Sequence, residues 1–118
     1  MRQRLRALTG ALKYSLVDQT KLITAASELG RNVLVHGGGG GVRISHVEDP
    51  KRGEGLRLAF IDQGPGIPDI ERALSDGFTT GSGLGLGLGG ARRLVHAFDI
   101  QSRVDGGTTI SIVRWRGP

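Results

Sequence analysis

Apolar residues in the first third of the chain recur every three or four positions. The residues that form this stripe are Leu22, Ala26, Leu29 and Val33. Spacings of i, i+4, i+7 and i+11 place them on one side of a helix, the side that would pack on a core. We predict that this helix begins after Asp18, as its N-cap, and stops at the glycine run 37–41. Residues 2–12 predict a shorter basic helix before it.

Farther along, apolar residues alternate with other residues, which is the period of a strand with one buried face. The predicted strands begin at Val42 and then run over 56–62, 100–104 and 108–115. Asp105, Gly106 and Gly107 between the last two strands are a hairpin signal. Two helices separate the strand pairs, one over 70–75 capped by Asp69 and one from about 85 to 97.

This order of elements predicts an α+β fold built as a two-layer sandwich. We expect helices on one face of a mixed, largely antiparallel sheet, and one domain over residues 1–118. The chain has no cysteine, which is typical of a cytoplasmic protein, and no apolar run long enough to cross a membrane. A net charge of +5 favours acidic partners. Aromatic residues are only 4% of the chain, too few for stacking on nucleic acid bases, so we expect neither a membrane nor a nucleic acid as partner.

Glu28, Asn32 and His36 follow one another at i, i+4 and i+8 on a stripe beside the apolar one. They would lie at the edge of the core, where a helix borders a pocket. There, the side-chain oxygen of Asn32 could bind Mg²⁺, and Glu28 could orient or deprotonate an attacking hydroxyl. The same spacing also fits a solvated polar helix face, and these residues alone leave both interpretations open.

Asp62 ends an apolar strand directly before the turn Gly64-Pro65-Gly66. Its carboxylate could accept a hydrogen bond from the amino group of a nucleotide base, and the glycines would let backbone approach a flat ligand. The alternative is that Asp62 only hydrogen-bonds the turn backbone, as aspartate often does.

The segment 81–90 alternates glycine with leucine. The leucines can pack while the bare backbone N–H groups face a polyphosphate. The pattern is neither a P-loop, because no Gly-Lys-Ser/Thr follows, nor a dinucleotide fingerprint, because a loop rather than a strand precedes it. Arg92 and Arg93 are interpreted as solvated surface residues. His46 and His96 are interpreted as isolated, without metal-ligand spacing.

Taken together, three segments resemble a known family. ELGRNVLVH (28–36) resembles the Asn-containing box of the GHKL nucleotide-binding fold (gyrase, Hsp90, histidine kinase, MutL), and DQGPGIPD (62–69) and GSGLGLGL (81–88) resemble its two glycine boxes. Within that superfamily, VDQTKL, SELGRN, DQGPGIPDIERALSDGFTT and GLGLGLGGARRLVHAFDI resemble the RsbT-type switch kinases of the bacterial stressosome, relatives of the anti-sigma factor serine kinases. The resemblance spans roughly residues 2–116.

The resemblance implies a role for each matched residue. Glu28 matches the catalytic carboxylate and Asn32 the Mg²⁺ ligand, while Asp62 matches the acceptor of the adenine amino group, with Gly64 and Gly66 beside the base. The other implied nucleotide-binding positions, in the ATP lid (76–82) and the phosphate-contacting backbone, are Thr79, Thr80, Gly83, Leu84, Gly85, Leu86 and Gly87. The implied cofactors are ATP and Mg²⁺.

The function implied by the resemblance is an ATP-dependent serine/threonine protein kinase of a partner-switching stress-response pathway. Such kinases phosphorylate STAS-domain proteins and, when released from the stressosome, activate a PP2C-type phosphatase upstream of a sigma factor. Relatives include dimers, which leaves a homodimer open. Two alternatives are a regulatory binding module similar to an anti-sigma factor and a detached catalytic domain of a histidine kinase.

The sequence departs from the family pattern in two places. The family has a strand before the first helix, whereas this sequence starts at that helix, which predicts a bare sheet edge. The Gly-Phe that usually precedes the VDQ segment is here Lys13-Tyr14. We therefore expect the turn between the first two helices to differ.

Overall fold

The computed structural model describes residues 1–35, 39–64, 66, 74, 87–103 and 105–116. The elements within them are α1 (Arg2–Ala11), α2 (Leu16–Val35), β1 (Gly40–Asp49), β2 (Gly53–Asp62), α3 (Gly87–Arg93), β3 (Ala97–Arg103) and β4 (Gly107–Trp115). The predicted α+β class is confirmed. The predicted helix at 70–75 and its cap Asp69 lie outside the described residues, except for Leu74, which packs against the core.

The four strands form one sheet in the order β1-β2-β4-β3. Each pairing between described strands is antiparallel. The prediction of a mixed sheet is therefore not met by the described strands, which contain no parallel pair. The hairpin predicted between the last two strands is confirmed, with its turn at 105–106. β1 forms one edge of the sheet, where the described residues pair it with β2 alone.

The core lies between the helices and one face of the sheet. The predicted stripe of α2 is confirmed, because all four of its residues are buried. The strand register places Leu58 beside Ile44 and Ile112, so these side chains share the face that α2 covers. The remaining buried core residues are Leu5, Tyr14, Ala25, Leu56, Phe60, Leu88, Ala91 and Ile110. No helix in the described ranges is long and apolar enough to cross a membrane.

α2 begins at Leu16, earlier than predicted. Ser15 caps it: its Oγ accepts a hydrogen bond from the Asp18 backbone N–H at 3.1 Å and donates one to Asp18 Oδ2 at 2.9 Å. The prediction of Asp18 as N-cap was therefore wrong. Ser15 and Asp18 instead form a reciprocal arrangement like a capping box, with the acid in the first turn of the helix.

α3 ends at Arg93 and β3 begins at Ala97, so the predicted boundary near residues 97–100 was wrong. The His96 N–H already donates to Val113 O of β4 at 2.9 Å, which starts the strand ladder. Phe98 lies at helical spacing from Ala91 and Val95 in the sequence but packs against the core from a strand. Apolar period alone therefore could not locate this boundary.

The turn between α1 and α2 contains a non-glycine residue in the left-handed region, Lys13, with a φ of 61°. This conformation costs a residue with a Cβ about 1 kcal/mol. The Tyr14 N–H donates to Thr9 O at 2.9 Å, and Tyr14 is buried. Lys13 thus adopts a conformation that favours glycine.

Candidate functional site

Glu28 lies on α2, with its side chain 14% exposed. Its Oε1 accepts a hydrogen bond from the N–H of Gly87, the first residue of α3, at 3.0 Å. This contact joins the helix of the Asn-containing box to the end of the glycine-rich segment. The structure therefore brings together two predicted site residues that lie far apart in sequence.

The second partner of Glu28 is Arg31, one helical turn later. Arg31 Nη2 lies 3.0 Å from Glu28 Oε1 and 3.2 Å from Oε2, so one guanidinium nitrogen reaches both carboxylate oxygens. Sequence analysis assigned no role to Arg31. The signal that could have found it is the i,i+3 spacing of an opposite charge next to a candidate catalytic acid.

Asn32 is partly buried on α2, four residues after Glu28. Residues at this spacing are neighbours on the same side of a helix, so Asn32 and Glu28 lie along one edge of α2. The amide oxygen of Asn32 is a ligand of the type that Mg²⁺ prefers. His36, the third residue of the predicted polar stripe, lies outside the described residues.

Asp62 is the last residue of β2 and is only 8% exposed. Its Oδ1 accepts the N–H of Gly64 at 2.9 Å and the N–H of Thr108 at 3.2 Å. Both bonds that the described residues make to this carboxylate end on Oδ1. The turn-bonding alternative therefore holds for Oδ1.

Thr108 is a partner of Asp62 that sequence analysis missed. It lies opposite Asp62 in the β2–β4 pairing and is 5% exposed. Its Oγ1 lies 3.0 Å from Ser102 Oγ of β3. The only available signal was the pairing of β2 with β4, a long-range contact that hydrophobic period does not predict.

At two positions near Asp62, a backbone oxygen from another part of the chain comes so close that only glycine fits. Gly66 has a φ of 86°, and a Cβ there would lie 2.3 Å from Arg103 O. Gly107 has a φ of 84°, and a Cβ there would lie 2.2 Å from Asp62 O. Gly66 was predicted to admit a ligand; the structure adds a reason within the protein, the contact between the turn after β2 and the end of β3.

The remaining implied nucleotide positions lie outside the described residues. They are Thr79, Thr80, Gly83, Leu84, Gly85 and Leu86. Gly87, the last of the implied phosphate-contacting positions, is described, and its N–H donates to Glu28.

His46 lies away from this site, toward the turn of the β1–β2 hairpin. Its Nε2 is 3.7 Å from Glu54 Oε1, so the interpretation of His46 as isolated was wrong. One potential ligand atom each from His46, Glu48 and Glu54 falls within 4.8 Å of the others. Arg116 Nη1 lies 3.3 Å from Glu54 Oε2, so Glu54 also pairs with an arginine.

The predictions for the arginines at the end of α3 and for His96 are confirmed only in part. Arg92 and Arg93 are exposed, as predicted. His96 is not isolated, because its Nδ1 accepts the Trp115 N–H at 2.9 Å. Burial, followed by the positive charge of nearby arginines, lowers the pKa of His96.

Comparison with known proteins establishes the family. Residues 17–116 match the family described as histidine kinase-, DNA gyrase B-, and HSP90-like ATPase. The chain belongs to this ATPase family. It is also 44% identical over 114 residues to the serine/threonine-protein kinase RsbT of Bacillus subtilis (strain 168), an alignment that covers 97% of this chain and 85% of that protein.

Anti-sigma F factors are a second group of relatives. The protein from Bacillus licheniformis is 32% identical over 116 residues, with 92% of this chain and 77% of that protein covered. The one from Anoxybacillus flavithermus (strain DSM 21510 / WK1) is 30% identical over 115 residues, with the same coverage of 92% and 77%. The predicted GHKL-type fold, the resemblance to RsbT-type kinases and the serine/threonine kinase class are thereby confirmed.

Proposed function

We propose that this kinase uses Glu28, Asn32 and Asp62 to transfer phosphate from ATP to a regulatory protein in a partner-switching pathway. The observation that carries the proposal is the hydrogen bond from the Gly87 N–H to Glu28 at 3.0 Å. It holds the proposed catalytic carboxylate at the end of the glycine-rich segment, where the family's ATP chemistry would need a group that orients a hydroxyl.

The donor and acceptor set fits a nucleotide with Mg²⁺. In this proposal, Oδ2 of Asp62 would accept a hydrogen bond from a base amino group; the support is that the two N–H groups donated to Asp62 by described residues both end on Oδ1. The amide oxygen of Asn32 suits Mg²⁺. ATP would supply the γ-phosphoryl group, and Mg²⁺ would neutralise charge on the phosphate oxygens.

In the proposed transfer, the hydroxyl oxygen of a serine or threonine bonds to the γ-phosphorus while the bond to the leaving ADP oxygen breaks. The hydroxyl proton passes to the carboxylate of Glu28, which also orients the hydroxyl before attack. Phosphoryl transfer depends chiefly on positioning and charge stabilisation. The work of this chain is therefore to hold Glu28, the substrate hydroxyl and the nucleotide in one arrangement.

We further propose a STAS-domain protein as the substrate and a PP2C-type phosphatase as the protein activated after release. The support is the relationship to RsbT, which extends over 97% of this chain. The net charge of +5 favours acidic partner surfaces over basic ones.

A second candidate function, partner binding without a requirement for transfer, is favoured by the anti-sigma F factor relatives at 30% and 32% identity. In that role, the domain would sequester a protein, and nucleotide would support the bound conformation. The two candidates differ in their dependence on Glu28, since only the kinase function requires its carboxylate.

The test is transfer of the γ-phosphate of Mg-ATP to purified STAS-domain proteins. Glu28→Gln keeps the shape of the side chain and removes the acceptor of the proton, so we expect a rate loss of roughly 100-fold or more, while ATP binding measured by calorimetry is retained. Asp99→Asn, an exposed position on β3, is the matched control and should keep the parental rate. Undiminished transfer by Glu28→Gln, or no transfer by the parent, would contradict the kinase assignment; unchanged partner binding by an inactive parent would support the second candidate.

A further inference from the structure

The position of Glu28 is fixed at two points. The Gly87 N–H donates to Oε1 from α3, and Arg31 Nη2 approaches both carboxylate oxygens from the same helix. A glutamate on a helix has several staggered side-chain conformations of similar energy. These two contacts together select the one in which the carboxylate faces the start of α3.

The Arg31 contact adds little to the stability of the fold. Arg31 and Glu28 are one turn apart on α2, so their contact joins no separate elements, and the Arg31 side chain is 42% exposed. Ion pairs of this exposure and spacing contribute little to folding. A role in orienting Glu28 explains the contact better than a role in stability.

The pair is also accessible from outside. Glu28 and Arg31 both line a groove of about 650 Å³ between α1 and α2. On the wall of this groove, the Nε of Arg2 donates to Ser27 Oγ at 2.8 Å. Glu28 therefore faces a groove on one side and the start of α3 on the other, and its orientation decides which groups it can reach.

We propose that Arg31 is a positioning residue that holds the Glu28 carboxylate against the Gly87 N–H in the geometry needed for transfer. The catalytic part of this inference rests on the proposed function. Phosphoryl transfer is governed by positioning. Release of the Glu28 carboxylate from Arg31 therefore slows the transfer of phosphate and does not weaken ATP binding. A lysine can replace the charge but not the planar geometry of the guanidinium.

The kinetic experiment compares Arg31→Gln and Arg31→Lys with Arg57→Gln, which removes an exposed arginine of β2. We expect Arg31→Gln to lower kcat about tenfold and to change the KM for ATP less than about twofold. Arg31→Lys should recover part of the loss, and Arg57→Gln should match the parent. Parental kcat in Arg31→Gln would overturn the inference, as would a loss confined to KM.

A double-mutant cycle tests whether Arg31 acts through Glu28. In the Glu28→Gln background, Arg31→Gln should lower kcat by less than about twofold, because the group that it positions has already been changed. A purely structural role predicts the same tenfold loss in both backgrounds, and that result would overturn the inference.

A spectroscopic readout does not depend on turnover. The backbone amide signal of Gly87 in ¹⁵N-resolved NMR spectra should report its charge-assisted hydrogen bond to Glu28. Arg31→Gln should move this signal toward its position in Glu28→Gln, and Arg57→Gln should leave it in place. An unmoved signal in Arg31→Gln overturns the positioning role. If the signal moves in Arg31→Gln but the parent protein transfers no phosphate, the proposed function is rejected, whereas the inference that Arg31 positions Glu28 stands.

Discussion

Two carboxylates of α2, Asp18 and Glu28, each pair with an arginine, and the two pairs differ in burial and in what they connect. In the first, Arg114 and Asp18 have side chains 10% and 13% exposed. In the second, Arg31 is 42% exposed and Glu28 14%. The first pair joins a strand to the start of α2, whereas the second lies within one helix, next to the site.

Arg114 connects three parts of the fold. Its Nε lies 3.1 Å from Asp18 Oδ1, and its Nη2 also contacts that oxygen. Its Nη1 donates to Leu94 O after α3 at 2.9 Å. Its own backbone oxygen accepts a hydrogen bond from the Tyr14 hydroxyl at 2.5 Å. These contacts fix α2 and the segment after α3 against β4.

The two pairs have different roles: the Arg114–Asp18 pair supports the fold, and the Arg31–Glu28 pair is proposed to serve the chemistry. A buried pair that bridges elements holds the scaffold, and breaking it leaves an uncompensated charge. A partly exposed pair within one helix selects a side-chain orientation at little cost in stability. Asp18 and Glu28 are ten positions apart, about 15 Å along a helix, so changes to the two pairs should act independently.

The largest expected effect on stability comes from Arg114→Gln. This change removes the arginine charge that faces the largely buried Asp18 carboxylate, so we expect a loss of about 3–5 kcal/mol in the free energy of unfolding. Urea denaturation followed by circular dichroism measures it.

Two further variants make this experiment decisive. Arg57→Gln, an exposed arginine on the neighbouring strand, should change stability by less than about 0.5 kcal/mol. The double variant Asp18→Asn/Arg114→Met removes both charges and should recover much of the lost stability, since no buried charge then lacks its counter-charge. A loss below about 1 kcal/mol in Arg114→Gln would remove the distinction between the two pairs.

Tyr14, which donates to Arg114 O, gives the same network a pH dependence. Burial raises the pKa of Tyr14 from 10.0 to about 12, so the folded protein favours the neutral phenol. Its contribution to stability is complete below pH 10 and is lost as the pH rises toward 12, because the unfolded chain ionises first. Between about pH 9 and pH 11.5, the stability difference between the parent and Tyr14→Phe should shrink by on the order of 1 kcal/mol. If the stability difference between the two proteins stays constant over this pH range, ionisation of the Tyr14 hydroxyl is not linked to folding.

Local sequence signals were enough to predict three features of the scaffold that carries the site. The stripe of α2, the Asp105-Gly106-Gly107 hairpin and the place of Asp62 at a strand end are all encoded within a few residues. They could be predicted because helix and strand periods differ. The motifs then indicated the family, which the relatives confirm.

Errors arose where two local signals compete or where a contact is long-range. Both Ser15 and Asp18 are good N-cap residues; in the structure Ser15 caps α2, and Asp18 pairs with Arg114. Thr108 became visible only through the β2–β4 pairing. Arg31 was missed although it lies at i,i+3 from Glu28, because the same spacing also fits an ordinary ion pair on a helix surface.

Of the two pairs, the one between Arg31 and Glu28 has the smaller expected effect on stability, and the salt dependence of Arg31→Gln completes the comparison. The pair is partly exposed, so we expect a loss of less than about 1 kcal/mol at low ionic strength. Raising NaCl from about 0.05 M to about 0.5 M should remove most of this difference, because exposed charges are screened.

The loss in Arg114→Gln should persist at both salt concentrations, because it comes from desolvation of Asp18 and not from screened attraction. Thermal melts of the parent and the two variants at both concentrations measure the contrast. A loss in Arg31→Gln that exceeds about 2 kcal/mol and resists salt would mean that this pair also supports the fold, and a lower transfer rate in that variant would then no longer report the orientation of Glu28.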